Sequence, residues 1–349
     1  GGVYGSMLST PILNPPQSAV LGMHNIIQRP VAINSKIEVR SRISQLAKKD
    51  FDFVEGDIRN RNLLSNLLKK NTIDCVMHFA GLKAAGESEK YPLDYYDNNV
   101  LGSLVLLQEM KLANVKSIIF SSSASVYGNS PTTKCKEETQ LNPISVYGKT
   151  KLIIEDILKN LYKSEPEWKI INLRYFNPIG AHFTGIIGED SRDTPTNLIP
   201  FITEVALGKK DQLLVFGDDY KTSDGTGKRD YIHIDDLARG HLFALEKLNK
   251  KNNICTNINL GTGKSYSVID VIKAFEKASG KKIPYKIIER REGDIDEICA
   301  DPTYASNFLG WEAKFDLNRM CSDVWRWKNM NPNGYEWDLS ISSNKLFAT

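Results

Sequence analysis

The 349-residue sequence predicts an α/β fold built on a doubly wound parallel sheet, and two observations carry that prediction. Short, continuously apolar runs recur at residues 51–55, 73–79, 117–121 and 170–175. Longer segments with helical spacing lie between them, as in Leu63, Leu64, Leu67 and Leu68. Strands that are apolar throughout are buried on both faces, which is what a parallel sheet covered by helices on two sides requires.

Taken in order, residues 1–40 stand outside this pattern. Asn14, Pro15 and Pro16 mark a turn, and residues 31–34 and 37–40 have the form of a hairpin. The strand–helix alternation begins at 51–55. The strand at 117–121 runs into Ser122, Ser123, Ala124, Ser125, Val126, Tyr127 and Gly128, a hydroxyl-rich turn at a strand's C-terminal end, where open α/β sheets bind ligands. After 170–175 the pattern loosens. Residues 178–230 are rich in Gly, Pro, Asp and Thr, with a helix expected over 197–207. Residues 229–234 and 258–260 are short enough to be strands that cross back to the sheet. The expected organisation has three parts: 1–40, a sheet-forming domain over 41–177, and 178–349 as mainly a substrate lobe with strands returning to the sheet.

Composition bounds the function. Charged residues make up 25% and hydrophobic ones 41%, which excludes a disordered chain. The net charge of +3 and the lack of a long basic run argue against nucleic acid as a partner. No apolar run approaches the roughly 18 residues of a membrane span, and no signal layout opens the sequence. Cys75, Cys135, Cys255, Cys299 and Cys321 are scattered, without a CxxC pair, so neither a metal site nor a disulfide framework is expected and the location expected is cytoplasmic.

The strongest local chemistry is Tyr147 and Lys151, four apart on an expected helix and therefore on one face. A tyrosine hydroxyl titrates near pH 10, too high for a base at neutral pH, and a neighbouring ammonium favours the phenolate. Alone, the spacing is more often a surface tyrosine over a solvated lysine. The serine-rich turn raises its significance, because Ser123 can hydrogen-bond a substrate hydroxyl whose proton the tyrosine accepts.

Nine motifs then occur in order: VEGDIRN at 54–60, HFAGLKAAGES at 78–88, YYDNNV at 95–100, FSSSASVYG at 120–128, YGKTK at 147–151, LRYFNPIGAH at 173–182, DGTGKRDYIH at 224–233, NLGTG at 259–263 and RREGD at 290–294. On these the chain from about residue 50 to 335 resembles the UDP-glucose 4-epimerases, which are extended short-chain dehydrogenases/reductases with a Rossmann-like sheet. The resemblance implies an isomerase that interconverts UDP-galactose and UDP-glucose by NAD-mediated oxidation and reduction at sugar C4, and a homodimer. It implies Ser123, Tyr147 and Lys151 as the catalytic set, with Tyr147 as the base. Asp57, Ile58, Phe79, Ala80, Lys83, Asn98, Tyr147, Lys151 and Phe176 would hold NAD. Ser123, Asn177, Asn197, Leu198, Val215, Phe216, Arg229, Arg291 and Asp294 would hold the nucleotide sugar, the arginines because guanidinium forks suit diphosphate oxygens. Ile298, shortly after RREGD, is expected to leave room for UDP-N-acetyl sugars. Ser123-Ala124-Ser125, where related dehydratases carry Thr-Asp-Glu, argues against dehydration.

Residues 1–40 fit that family less well. Gly1-Gly2-Val3-Tyr4-Gly5-Ser6 is not preceded by a strand and is followed by prolines rather than by a helix. The segment resembles part of the catalytic core of dihydrolipoamide acyltransferases, through GGVYGS, NPPQSAVLGMH and RPVAIN, without that family's HxxxDG motif. The expectation is a Rossmann-like sheet lacking its first β-α-β unit and its phosphate-binding glycine turn, and weak NAD binding. The alternative functions are an inactive nucleotide-sugar-binding module or fusion product, and a fragment related to the acyltransferases.

Overall fold

The computed structural model describes residues 19–21, 54–71, 73–130, 132–190, 197–291 and 294–335. In chain order its first half contains β1 (Ala19–Leu21), α1 (Arg61–Lys70), β2 (Val76–His78), α2 (Ala85–Lys90), α3 (Pro92–Tyr95), a π-helical turn (Tyr96–Leu101), α4 (Gly102–Leu112), β3 (Ser117–Ser123), β4 (Lys134–Cys135), α5 (Val146–Ser164) and β5 (Lys169–Tyr175). The second half adds β6 (Asn177–Ile179), α6 (Leu198–Ala206), β7 (Leu213–Phe216), β8 (Lys228–His233), α7 (Ile234–Lys250), β9 (Ile254–Leu260), β10 (Ser265–Ser267), α8 (Val268–Ser279), β11 (Tyr285–Ile288), β12 (Glu297–Ala300), α9 (Thr303–Leu309) and α10 (Leu317–Met330).

The main sheet is parallel throughout, in the order β1-β2-β3-β5-β9. Its strands are apolar on both faces for the reason the sequence suggested. Ile118, Phe120 and Ile170 pack with Leu64 of α1, Leu106 of α4 and Leu158 of α5. Their neighbours Ile119, Ile171 and Leu173 point the other way, onto Leu237 and Ala244 of α7 and Ala305 of α9. A period of two places adjacent strand residues on opposite faces, so both sets must be apolar.

A second sheet, β10-β8-β12-β4, has β6 beside β8, and β7 and β11 form a separate parallel pair. Helices α6, α8 and α10 close over this region with Ile202, Phe275 and Met320 around Leu213 and Val215. The α8 helix starts where the sequence supplies both halves of a capping box: Ser267 accepts from the Asp270 N–H, and the Asp270 carboxylate accepts from the Ser267 N–H.

Three sequence expectations are changed. The segment expected at 229–234 forms β8, but its ladder partners are β6, β10 and β12, so it stays in the second sheet rather than crossing back. Only 258–260, as part of β9, does so. No sheet strand was expected before residue 51, yet Ala19–Leu21 pairs in parallel register with Val76–His78. The hairpin expected at 31–40 and most of the strand at 51–55 lie outside the described residues, and Val54 and Glu55 carry no strand.

Candidate active site

The C-terminal ends of β2, β3 and β5 face the first turns of α5. Ser145 caps that helix, its hydroxyl accepting from Gly148 N at 3.1 Å. Tyr147 and Lys151 follow on one face, as their spacing requires. Lys151 is 4% exposed. Its Nζ donates to the Ser121 carbonyl at 2.7 Å, 4.8 Å from the Phe120 ring centroid and 5.9 Å from that of Tyr147. Burial brings its pKa down to about 8, against the opposing charge of Glu155. Ser123 closes β3, its hydroxyl accepting from Ser125 N at 3.1 Å. Tyr147 titrates above its ordinary value because it is buried, an effect the Ser123 hydroxyl opposes. The ammonium expected to favour this phenolate stands 5.9 Å from the Tyr147 ring centroid, with its hydrogen bond directed to the strand end.

An ammonium held in the protein interior has a consequence for stability. The folded-state pKa of about 8 lies below the ordinary 10.5, so the cost of burying the charge is full below pH 8 and fades as pH rises from 8 to 10.5. Lys151→Met therefore unfolds a few degrees higher than wild type at pH 7, the gap narrowing towards pH 10. Thermal melts of both proteins across that range check the trend.

Phe79 and Ala80 leave the end of β2, and Gly81 passes close to Lys151: a Cβ there would stand 3.2 Å from Asn99 Oδ1 and 3.7 Å from Lys151 Nζ. Lys83 is exposed at the rim, Asn98 is buried in the π-helical turn, and Phe176 is buried after β5. Asp57 and Ile58 precede α1. Asp57 receives a fork from Arg59, Nε at 2.9 Å and Nη2 at 2.6 Å, which holds its carboxyl below the usual range; Ile58 packs beneath Gly102.

Of the residues expected to hold the nucleotide sugar, two pairs are in direct contact. Arg229 pairs with Asp294 Oδ1, and the Tyr220 hydroxyl donates to Asp294 Oδ2 at 2.9 Å. Arg291 lies 3.8 Å above the Phe216 ring. Asn177 is exposed on β6, while Asn197 precedes α6 as an N-cap whose side chain makes no capping bond, followed by Leu198. Val215 differs: its side chain is 1% exposed and packed in the core of the second lobe, leaving only its backbone to face a ligand.

Several residues of the site were not singled out from sequence. The Asn99 side chain holds Leu82 from both sides, accepting from its N–H at 2.7 Å and donating to its carbonyl at 3.0 Å, and reaches Thr150 Oγ1 at 3.1 Å. Behind the C-terminal end of β3, Arg174 and Glu155 are paired twice, at 3.0 and 2.7 Å, and Ser122 donates to the same carboxylate at 2.5 Å. Arg174 also donates to the Tyr127 hydroxyl at 3.0 Å, which donates in turn to Asn259 at 2.6 Å. An arginine inside an apolar strand was the available signal, since a buried charge needs a partner. Among the described residues no cluster of His, Cys, Asp and Glu could hold a metal ion, and no helix is long and apolar enough to cross a membrane.

Comparison with known proteins agrees with this layout. The profile of the NAD dependent epimerase/dehydratase family matches residues 2–261. The UDP-glucose 4-epimerase of Dictyostelium discoideum is 46% identical over 325 residues, covering 90% of this chain and 94% of the relative. That of Bacillus subtilis (strain 168) is 49% identical over 303 residues, covering 87% and 89%. The crystal structure of the Bifidobacterium longum UDP-glucose 4-epimerase, in complex with NAD+ and UDP, superposes with a TM-score of 0.82 at 46% identity, covering 85% of this chain and 88% of that one. The family match begins at residue 2, upstream of the point near Phe51 where the motifs had suggested it starts, so residues 2–40 fall within the epimerase match and the acyltransferase likeness expected for them is not supported. The glycine turn sought in the sequence falls outside the described residues. With the family profile matching most of its length and with relatives close to half identical across nearly all of it, this chain belongs to the NAD dependent epimerase/dehydratase family.

Proposed function

We propose that this chain interconverts UDP-galactose and UDP-glucose by inverting sugar C4, with NAD as cofactor. The observation that carries the reading is the placement of Tyr147 and Lys151 on one face of α5, beside Ser123 at the end of a parallel strand. The residues present fit the cofactor's nicotinamide and ribose side. Among the described residues Lys151 Nζ has a single hydrogen-bond acceptor, the Ser121 carbonyl, although an ammonium carries three donors, and Gly81 leaves open the space that a Cβ would fill. Phe79, Ala80, Lys83, Asn98, Tyr147, Lys151 and Phe176 would hold that side, with Asp57 and Ile58 towards the adenine.

NAD, when bound, supplies a reversible two-electron oxidation at C4. Tyr147 takes the proton from the C4 hydroxyl and returns it after the sugar has turned its other face. Ser123 holds the oxygen between the two transfers, and Lys151 keeps a positive charge beside the phenol and orders the ribose. Arg229 and Arg291 neutralise the diphosphate, with Asn177, Asn197, Leu198, Phe216, Asp294 and the Val215 backbone around the rest of the nucleotide. On this reading the cofactor lies on residues 41–177 and the sugar nucleotide mainly on 178–349. Five unpaired cysteines support a cytoplasmic protein. Its exposed apolar side chains at Leu93, Leu101 and Leu112 around α4 suit a homodimer, and we assign it no nucleic-acid or membrane partner. The acyltransferase resemblance of residues 1–40 has no counterpart among the relatives described above and no part in the reading.

The test is direct. Purified protein releases NAD(H) on denaturation and converts UDP-galactose to UDP-glucose; retention of UDP without either property would favour the non-catalytic binding module. The substrate range extends the test. Ile298, on β12, packs with Phe176 and Tyr127, and no large aromatic side chain stands at that point. UDP-N-acetylgalactosamine is therefore turned over with a kcat/KM within about tenfold of UDP-galactose, and Ile298→Tyr selectively removes that activity by filling the space, worth about 1–3 kcal/mol of discrimination. Equal loss on both substrates would count against the assignment.

A further inference from the structure

The turn of α5 that carries Tyr147 is held from outside its own helix. The first N–H groups of a helix have no intrahelical acceptor. In α5, Gly148 N and Lys149 N turn to Ser145, to its hydroxyl at 3.1 Å and its carbonyl at 2.9 Å. The two preceding groups turn to α2 instead. Val146 N donates to Glu89 Oε1 at 2.7 Å, and Tyr147 N donates to Ser88 Oγ at 3.1 Å. Ser88 is fully buried and passes its own proton to the Ala85 carbonyl at 2.5 Å. The segment before it is equally fixed. The Tyr95 hydroxyl lies 2.8 Å from both the Ala84 carbonyl and Glu87 Oε2, and Asn99 clamps Leu82. One stretch of chain, 81–89, thus passes Lys151 at Gly81, presents Lys83 at the rim, and ends as the cap of the helix that carries Tyr147.

Resting on the function proposed above, we infer that Ser88 and Glu89 are positioning residues for Tyr147, setting the first turn of α5 from the same segment that lines the cofactor side of the cleft. Two physical effects follow. Without Ser88 the Tyr147 backbone N–H is a partly buried donor that has lost its acceptor, and the turn shifts to satisfy it. A displacement near 1 Å at a reacting group is enough to cost about 10²-fold in rate. Glu89 also places a carboxylate at the positive end of the helix dipole, where it competes with ionisation of the phenol. The other groups facing Tyr147 are the Lys151 ammonium, the Ser123 hydroxyl, and the phenols of Tyr95 and Tyr175.

Three variants of the full chain test this. Ser88→Ala lowers kcat for UDP-galactose by about 10- to 100-fold with KM within about threefold of wild type. Glu89→Ala behaves alike, whereas Glu89→Gln keeps an acceptor for Val146 N and recovers most of the turnover lost in Glu89→Ala. Removing the charge in Glu89→Gln moves the Tyr147 titration down by a few tenths of a pH unit. That titration is read without turnover, as the tyrosinate absorbance difference between each protein and its Tyr147→Phe counterpart. Unchanged kcat in Ser88→Ala and Glu89→Ala, a loss confined to KM, or an unmoved tyrosinate titration in Glu89→Gln would overturn the assignment. A wild-type protein that does not epimerise would defeat the functional reading, and the tyrosinate titration would still decide the role of Glu89. If Ser88→Ala does not fold, the Glu89 pair decides alone.

Discussion

Tyr147→Phe lowers epimerisation of UDP-galactose by about 10³-fold or more while leaving the fold and the unfolding midpoint near wild type. General acid–base catalysis by one positioned side chain contributes roughly 10²–10⁴-fold, and in the proposed mechanism a single phenol serves both the removal and the return of the proton. The ring stays in place because α5 holds it by backbone bonds, from Tyr147 N to Ser88 and from the turn above to Ser145, which phenylalanine also makes. The hydroxyl is the only group lost. Steady-state turnover with circular dichroism as the control measures both halves of the expectation. Turnover within tenfold of wild type would show that another group moves the proton.

Arg174→Met destabilises the protein by about 3–5 kcal/mol, because it leaves the Glu155 carboxylate buried without its counter-charge. The pair is 1% and 4% exposed, so water cannot replace the lost partner. Ser122 remains as a donor to the carboxylate and offsets only part of the cost. The double variant Arg174→Met with Glu155→Gln recovers much of the loss, since removing both charges of a buried ion pair is far less costly than removing one. Urea denaturation of the three proteins separates these cases; a loss under about 1 kcal/mol in the single variant would mean that the interior is wetter than the structure indicates. The effect reaches the site, because Ser122 lies between Ser121, the acceptor for Lys151, and Ser123.

Much of the fold was legible from periodicity. The apolar runs at 117–121 and 170–175 became β3 and β5, each extended by one or two residues, and the helix expected at 197–207 is α6. The run at 73–79 shrank to Val76–His78, and β8 was assigned to the wrong sheet. A short apolar strand shows that it is buried, not beside which partner, because ladder partners are chosen by segments far away in sequence.

The sequence by itself determined the α/β alternation, the four-residue spacing that aligns Tyr147 with Lys151, the serine-rich turn at the end of a strand, and the likeness to a family. These are properties of neighbouring residues, and local geometry is enough to read them. Tertiary structure alone decided that burial raises the Tyr147 phenol against the Ser123 hydroxyl, that Val215 turns into a core, that Arg174 is matched to Glu155 on another element, and that a helix begun by Ser145 is completed by Ser88 and Glu89 more than fifty residues earlier. The charge state of a group and the partner of an unsatisfied donor depend on what fills the space around them, and that volume is filled by segments whose arrangement no local pattern records.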